Sequence, residues 1–339
     1  MYESFFKLQK SPFGMNPDPS CIFMTPSHRE AFASLLYAIS RRKGFVVLTG
    51  DAGTGKTSLL RALIRSAGTA KFSVIFTPRV STDEFLELAL LDFGVTDVPT
   101  TKSQRIVKLQ EVLFELRLQG RDPVLMVDEA HTLSPETLEE IRLLTNFETA
   151  EEKLLQIVLA GQNDLATMLN RQDLRQLKQR IEVRMDLKPL APADVGAYMR
   201  YRWSHAGGSA PLPFSPEAIA LIATASRGIP RVVNCICDNA LLLAYAGEEA
   251  VISSGHVCDV LRDLDLEETG PARSNGKRLV RRDLNQAIFG ENEGPNTSIA
   301  PRSFGGGVED GKQPSQKPSL TRWADEMNLG PIRSRRPKS

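Results

Sequence analysis

Eight residues, GDAGTGKT at positions 50–57, restrict what this chain can fold into more than any other stretch. They follow the apolar run GFVVLT and precede SLLRALIR, whose apolar residues recur at helical spacing. Strand, glycine-rich turn and helix start, in that order, make a phosphate-binding loop. Gly50, Gly53 and Gly55 can take positive φ and keep side chains away from an anion. The loop, with Asp51, Ala52, Thr54 and Ser58, then offers successive backbone N–H groups, and the helix N-terminus adds partial positive charge. Lys56 is placed to reach the β- and γ-phosphates of a nucleotide, and the Thr57 hydroxyl to hold Mg²⁺. An empty glycine turn has no reason to supply Lys56 and Thr57 together.

The pattern around this loop alternates strand and helix. FSVIFT (72–77), PVLMVDEAH (123–131) and LLQIVLAG (154–161) read as buried strands, and IEVRMDL (181–187) as a weaker one. Ile106, Leu109, Leu113 and Leu116 form a helical stripe that stops at Gly120. Ser134-Pro135-Glu136 caps a helix whose apolar face is Leu138, Ile141 and Leu144. Apolar runs at this rhythm predict an α/β fold of three layers, a parallel sheet covered by helices. After LKPLAP (187–192) the strands stop, and four helical segments separated by Gly and Pro predict a small all-helical domain. The expected divisions are an N-terminal segment with a helix at 1–43, an α/β core at 44–190, helices at 191–268 and a tail at 269–339.

Composition narrows the class. With 339 residues and 41% hydrophobic content the chain is long enough for two domains with packed cores. Cys21, Cys235, Cys237 and Cys258 are too few and too scattered for a disulfide framework. Cys235 and Cys237 point to different faces of a helix, so reduced core thiols in a cytoplasmic protein are expected, not a metal pair. No apolar run is long enough to span a bilayer and the N-terminus lacks a signal-peptide pattern; any membrane association is expected to be peripheral, through a partner. The net charge of +1 conceals an asymmetry. Residues 271–339 hold 13 basic and 7 acidic side chains, and the rest of the chain 29 and 34. The tail is also rich in Gly, Pro, Ser and Asn, which predicts disorder, with 279–289 and 320–329 as short segments able to fold on a partner.

Hydrolysis needs a metal-holding acid and a group to activate water. The strand through Val127 ends in Asp128-Glu129, 72 residues after Lys56. In P-loop folds the strand beside the phosphate-loop strand presents its C-terminal acids at the phosphates. Asp128 is therefore expected to orient Mg²⁺ and Glu129 to activate or orient the attacking water. The string DEAH also occurs in helicases, but no further helicase motifs follow. The next strand should end in a polar residue facing the γ-phosphate, and AGQND supplies both Gln162 and Asn163. Arginines neutralise transition-state charge on the γ-phosphoryl group, sometimes from a neighbouring subunit. Arg175, Arg180 and Arg184 in LRQLKQRIEVR, and Arg227 and Arg231 in RGIPR, are the candidates. The Gly-Ile-Pro turn directs Arg231 from the start of a helix.

GDAGTGKT, LMVDEA, a polar strand end, LKQRI and GIPR fall in the order and spacing of the AAA+ ATPases, which the chain resembles. That resemblance implies that ATP is the nucleotide. It also implies that Arg180 is an arginine finger acting in trans, Arg231 the second sensor in a helical lid, and Gln162 or Asn163 the first sensor. The opening YESFFKLQKSPFGMNPDPS, with LLTNFET and AGQNDL later, is similar to the secretion-associated AAA+ ATPases typified by general secretion pathway protein A, over residues 1 to about 265. In that family the Pro-rich N-terminal segment lies along the nucleotide site, which makes Phe13, Pro17 and His28 nucleotide-contact candidates. The family protein continues into a membrane-spanning helix and a peptidoglycan-binding domain, for which this chain has a basic tail instead.

The leading expectation is a self-associating, ring-like ATPase that controls assembly of a secretion or envelope machine through a protein partner. The second is an ATP-dependent DNA-associated regulator like those of transposition, supported by the basic tail and opposed by the acidic body. The intact Asp128-Glu129 pair disfavours a non-hydrolysing scaffold.

Overall fold

The computed structural model describes residues 1–15, 21–76, 80–148, 152–209 and 211–266. The predicted tail, with its segments at 279–289 and 320–329, lies outside the described residues, as does Pro17. Five parallel strands carry the fold: β1 (Phe45–Gly50), β2 (Ala70–Ile75), β3 (Asp122–Val127), β4 (Gln156–Ala160) and β5 (Val183–Leu187). Every residue of β1 and β4 is buried, as is β3 from Pro123 onward. Such continuous apolar runs require cover on both sheet faces. It comes from α2 (Pro26–Ser40) and α3 (Lys56–Ser66), then α4 (Thr82–Phe93), α5 (Lys102–Leu118) and α6 (Pro135–Leu144), after the short α1 (Tyr2–Phe5). The α5 and α6 stripes face the core as predicted, Leu109, Leu113, Leu138 and Ile141 all being inaccessible to solvent.

One sequence expectation is overturned. The strand order is β2-β3-β4-β1-β5, so the acid-bearing β3 is not the neighbour of β1: β4 lies between them. Backbone compactness at the end of β4 lets the acids still reach the loop. Gly161 continues the ladder by donating to Leu48 O at 3.0 Å, and a Cβ there would lie 3.2 Å from the His131 backbone nitrogen. The loop after β3 can therefore fold across the end of β4.

The chain then passes through α7 (Asn163–Met168) and α8 (Arg175–Arg180) to β5, and among the described residues no further strand follows. α9 (Pro192–His205), α10 (Pro216–Ser226), α11 (Pro230–Ala246) and α12 (Ser254–Asp263) form a bundle with its own core, including Val195, Met199, Ile222, Ile236 and Leu241. The N-terminus joins this second core, not the first. Tyr2 packs in it and donates to Asp238, and Phe13 is fully buried with its ring edge-on to Phe214. The Arg202 guanidinium on α9 donates to the carbonyls of Pro12 at 2.7 Å and Gly14 at 3.1 Å. Farther along the sequence, α2 packs on β1, β5 and α3. The N-terminal segment thus bridges bundle and sheet.

Candidate nucleotide site

Backbone geometry builds the loop first. Gly53 and Gly55 have φ of 82° and 103°, left-handed values that only glycine adopts without strain. A Cβ at Gly53 would also lie 2.6 Å from the Arg231 Cβ, so the loop and the bundle meet at a position open only to glycine. Gly55 is the N-cap of α3, which aims the helix start into the cavity. Lys56 Nζ donates to the Gly50 and Asp51 carbonyls, both at 2.9 Å, and the side chain folds back over the loop. Its burial lowers its pKa against the opposing pull of Glu129, Asp128 and Asp51.

Across the sheet end, Thr57 Oγ1 donates to Asp128 Oδ2 at 2.5 Å. The hydroxyl and carboxylate predicted to hold Mg²⁺ are therefore side by side despite the intervening strand. Both are hard oxygen donors. Among the described residues no group of three or more His, Cys, Asp or Glu side chains forms a complete metal cage. A pair of oxygens with nucleotide phosphates and water completing the shell fits Mg²⁺, which dedicated protein cages seldom enclose. Burial raises the Asp128 pKa, partly offset by the bonds from Thr57 and from the Glu129 N–H at 2.9 Å.

Glu129 follows with φ of 53°, a left-handed conformation uncommon for a residue with a side chain. Residues so held cluster at functional sites. Its carboxylate lines the cavity and lies 3.4 Å from Gln162 Nε2. The pair left open by sequence is divided: Gln162 faces Glu129, whereas Asn163 Nδ2 donates to Asp51 Oδ1 at 2.6 Å. Asp51 does not line the cavity and Ala52 is exposed.

The cavity holds about 420 Å³, within the range of small-molecule sites. Gly53 to Ser58 form its floor, with Glu129 at one end. Pro230, Arg231 and Asn234 of α11 line it from the bundle, and Met15, Ile22 and Phe23 from the N-terminal segment. Arg231 is fixed by its backbone N–H, which donates to Gly53 O at 3.3 Å. His28 is buried in the wall: its Nε2 lies 3.1 Å from Thr54 O and its Nδ1 2.6 Å from Thr25 Oγ1. Both bonds suit a neutral ring, and burial lowers its pKa. Phe13 is a correction to the sequence reading. It is fully buried in the bundle core and lines no part of the cavity, because the chain turns its ring toward Phe214. Arg175, Arg180 and Arg184 are all exposed and, like Arg227, do not line it. Arg180 donates to Asn146 Oδ1 at 2.9 Å.

Two contributors were missed in the sequence. Arg202 anchors the N-terminal segment beside the cavity, and Tyr198, one turn earlier on α9, bonds Asn234 at 2.8 Å, its pKa pushed up by burial to about 12. Their spacing of four on a helix was visible, but nothing in it distinguishes a cavity wall from a core stripe. Among the described residues no helix is long and apolar enough to cross a membrane.

Residues 39–169 match the family model of the AAA domain. General secretion pathway protein A of Aeromonas hydrophila is 40% identical over 262 residues, covering 76% of this chain. The chain spans 47% of the length of that relative. ATP-dependent target DNA activator B of Escherichia phage Mu is 27% identical over 255 residues, covering 74% of this chain and 76% of the phage protein. Among solved structures, Cdc6p from Pyrobaculum aerophilum superposes with a TM-score of 0.59 at 19% identity, covering 75% of this chain and 70% of that one, a likeness of fold alone.

Proposed function

We propose, from the premise that this chain is an AAA protein related to general secretion pathway protein A, that it binds ATP with Mg²⁺ and hydrolyses it. The observation carrying this is the 2.5 Å contact of Thr57 with Asp128, which joins the phosphate loop to the acid strand beside Lys56 and Glu129. The loop N–H groups and Lys56 bind the β- and γ-phosphates. Thr57 and Asp128 would hold Mg²⁺, which would supply positive charge beside the phosphates. Glu129 takes a proton from water as its oxygen bonds to the γ-phosphorus and the bond to the β–γ bridging oxygen breaks, releasing ADP and phosphate. Gln162 steadies Glu129, Arg231 contacts the nucleotide from the bundle, and His28 holds the loop at Thr54. Arg180 serves the site of a neighbouring copy in a ring-like assembly.

The work done is on protein, in the assembly or regulation of a secretion or envelope system. The 40% identity to general secretion pathway protein A supports this, as does the excess of acidic over basic residues before the tail. The second reading, action on DNA, draws on the similarity to the phage activator and on the exposed Arg171, Arg175, Lys178, Arg180 and Arg184 around α8. ATP turnover of the purified chain, with and without duplex DNA across a salt series, separates them. Turnover indifferent to DNA is expected. Strong stimulation that fades steeply with salt, as phosphate contacts do, would favour the DNA reading.

A further inference from the structure

Three groups close a ring behind the Glu129 carboxylate. Glu129 Oε2 lies 3.5 Å from His131 Nδ1 and 3.4 Å from Gln162 Nε2. The Gln162 backbone N–H donates to the same His131 Nδ1 at 3.4 Å. Nδ1 is assigned here as the acceptor of that N–H, which leaves it without a proton and places the His131 proton on Nε2. Its Nδ1 lone pair then faces a carboxylate oxygen, which it repels. The Gln162 amide, on the other side, attracts that oxygen. The carboxylate is held between a repelling and a donating group.

The backbone beneath it is equally constrained. Glu129 N–H donates to Asp128 Oδ1 and Thr132 Oγ1 donates to Glu129 O, both at 2.9 Å, fixing the left-handed turn. The turn at 162–163 is tied in the other direction, through Asn163 to Asp51 of the phosphate loop. His131, itself only 15% exposed in its side chain, sits where these two turns meet.

We propose that His131 is a positioning residue for hydrolysis: its unprotonated Nδ1 holds the Gln162 turn at the distance from which the Gln162 amide aims Glu129. This rests on the hydrolytic reading above. It goes beyond that reading by giving His131, which stands behind Glu129 and does not itself line the cavity, a measurable share in the rate. A general base contributes about 10²–10⁴ in rate, and misplacement by about 1 Å loses much of it.

The test compares the full chain with His131→Ala, His131→Asn, Gln162→Ala and the His131→Ala/Gln162→Ala double variant. The readouts are kcat, KM for ATP with Mg²⁺, equilibrium binding of a fluorescent ATP analogue, and the thermal midpoint. His131→Ala is expected to lower kcat about tenfold or more with KM, binding and midpoint unchanged. His131→Asn should recover most of the loss, because its Oδ1 stands near the place of Nδ1 and accepts the same N–H. The double variant should lose no more than the worse single one, since both act through one contact. An unchanged kcat in His131→Ala, failure of Asn to rescue, losses that multiply, or a parallel fall in binding would each overturn the inference. Absence of turnover by the unaltered chain would overturn the hydrolytic reading itself, and the inference with it. Turnover that His131→Ala leaves intact overturns the inference alone.

Discussion

At the scale of single residues, the proposed hydrolysis divides the site into side chains that bind and one, Glu129, that activates water. Glu129 is placed beyond the Thr57–Asp128 pair and has no bond to the loop, so removing its charge should spare nucleotide binding. Glu129→Gln is expected to bind ATP as the unaltered chain does while losing about 10²–10⁴ in turnover. Equal turnover in the two proteins would show that another group activates the water. His28 offers a test that needs no turnover. Burial lowers its pKa, so the folded chain refuses a proton that the unfolded chain accepts below about pH 6.5. Stability is thus fully present above that value and falls as pH drops toward the folded pKa, by at most about 1.4 kcal/mol per pH unit for one proton. Thermal unfolding between pH 7.5 and 5.5 should show this fall, and His28→Gln, whose amide can still reach Thr54 O, should flatten it. Identical pH slopes would assign the effect elsewhere. Residues that share one short motif were legible before the structure: Gly53, Gly55, Lys56 and Thr57 stand within a single eight-residue loop. His131 carries no local signal, because its partner Gln162 lies 31 residues away. Arg202 was missed for the same reason, its partners being 188 and 190 residues distant.

Elements were legible where local chemistry sets their ends. Ser134 caps α6 by accepting from the Thr137 N–H at 3.2 Å, with Pro135 at the first helical position, where its missing N–H is harmless. Ser134→Ala should lower stability by about 1 kcal/mol without altering nucleotide affinity, since α6 touches the cavity nowhere. Denaturant midpoints would check this; a loss below about 0.3 kcal/mol would show that packing of Leu138 and Ile141 alone sets the helix. Order within the sheet was not legible. Each strand reads as a buried apolar run, and nothing in Val124 to Val127 says whether Leu48 or Leu159 is alongside. The close approach that accompanies this order falls at Gly161, just past β4, where a Cβ would lie 3.2 Å from the His131 nitrogen of the loop after β3. The acids reach the site by this route, and not by lying next to β1.

On the scale of the whole described molecule, two cores meet at the cavity, and each contributes a wall. The sheet domain supplies the loop, the Thr57–Asp128 pair and Glu129; the bundle supplies Arg231, and Arg202 on α9 anchors the N-terminal segment at Pro12 and Gly14. Loop and bundle are joined directly at Gly53, whose carbonyl accepts from the Arg231 N–H. One charge expected at a γ-phosphate is missing from this wall. Arg180 is exposed at the end of α8 and bonded to Asn146, and no arginine of that segment lines its own cavity. If it serves hydrolysis it must enter the cavity of another copy. Arg180→Ala should then bind ATP normally and lose about 10³–10⁵ in turnover, while Lys56→Ala, defective in its own loop, keeps an intact Arg180. Mixing the two inactive proteins should restore part of the activity, because Lys56→Ala subunits lend Arg180 to the intact loops of their neighbours. Recovery should rise with total protein concentration, as association requires. Mixtures that stay inactive at concentrations where the unaltered chain turns over would place the site wholly within one copy.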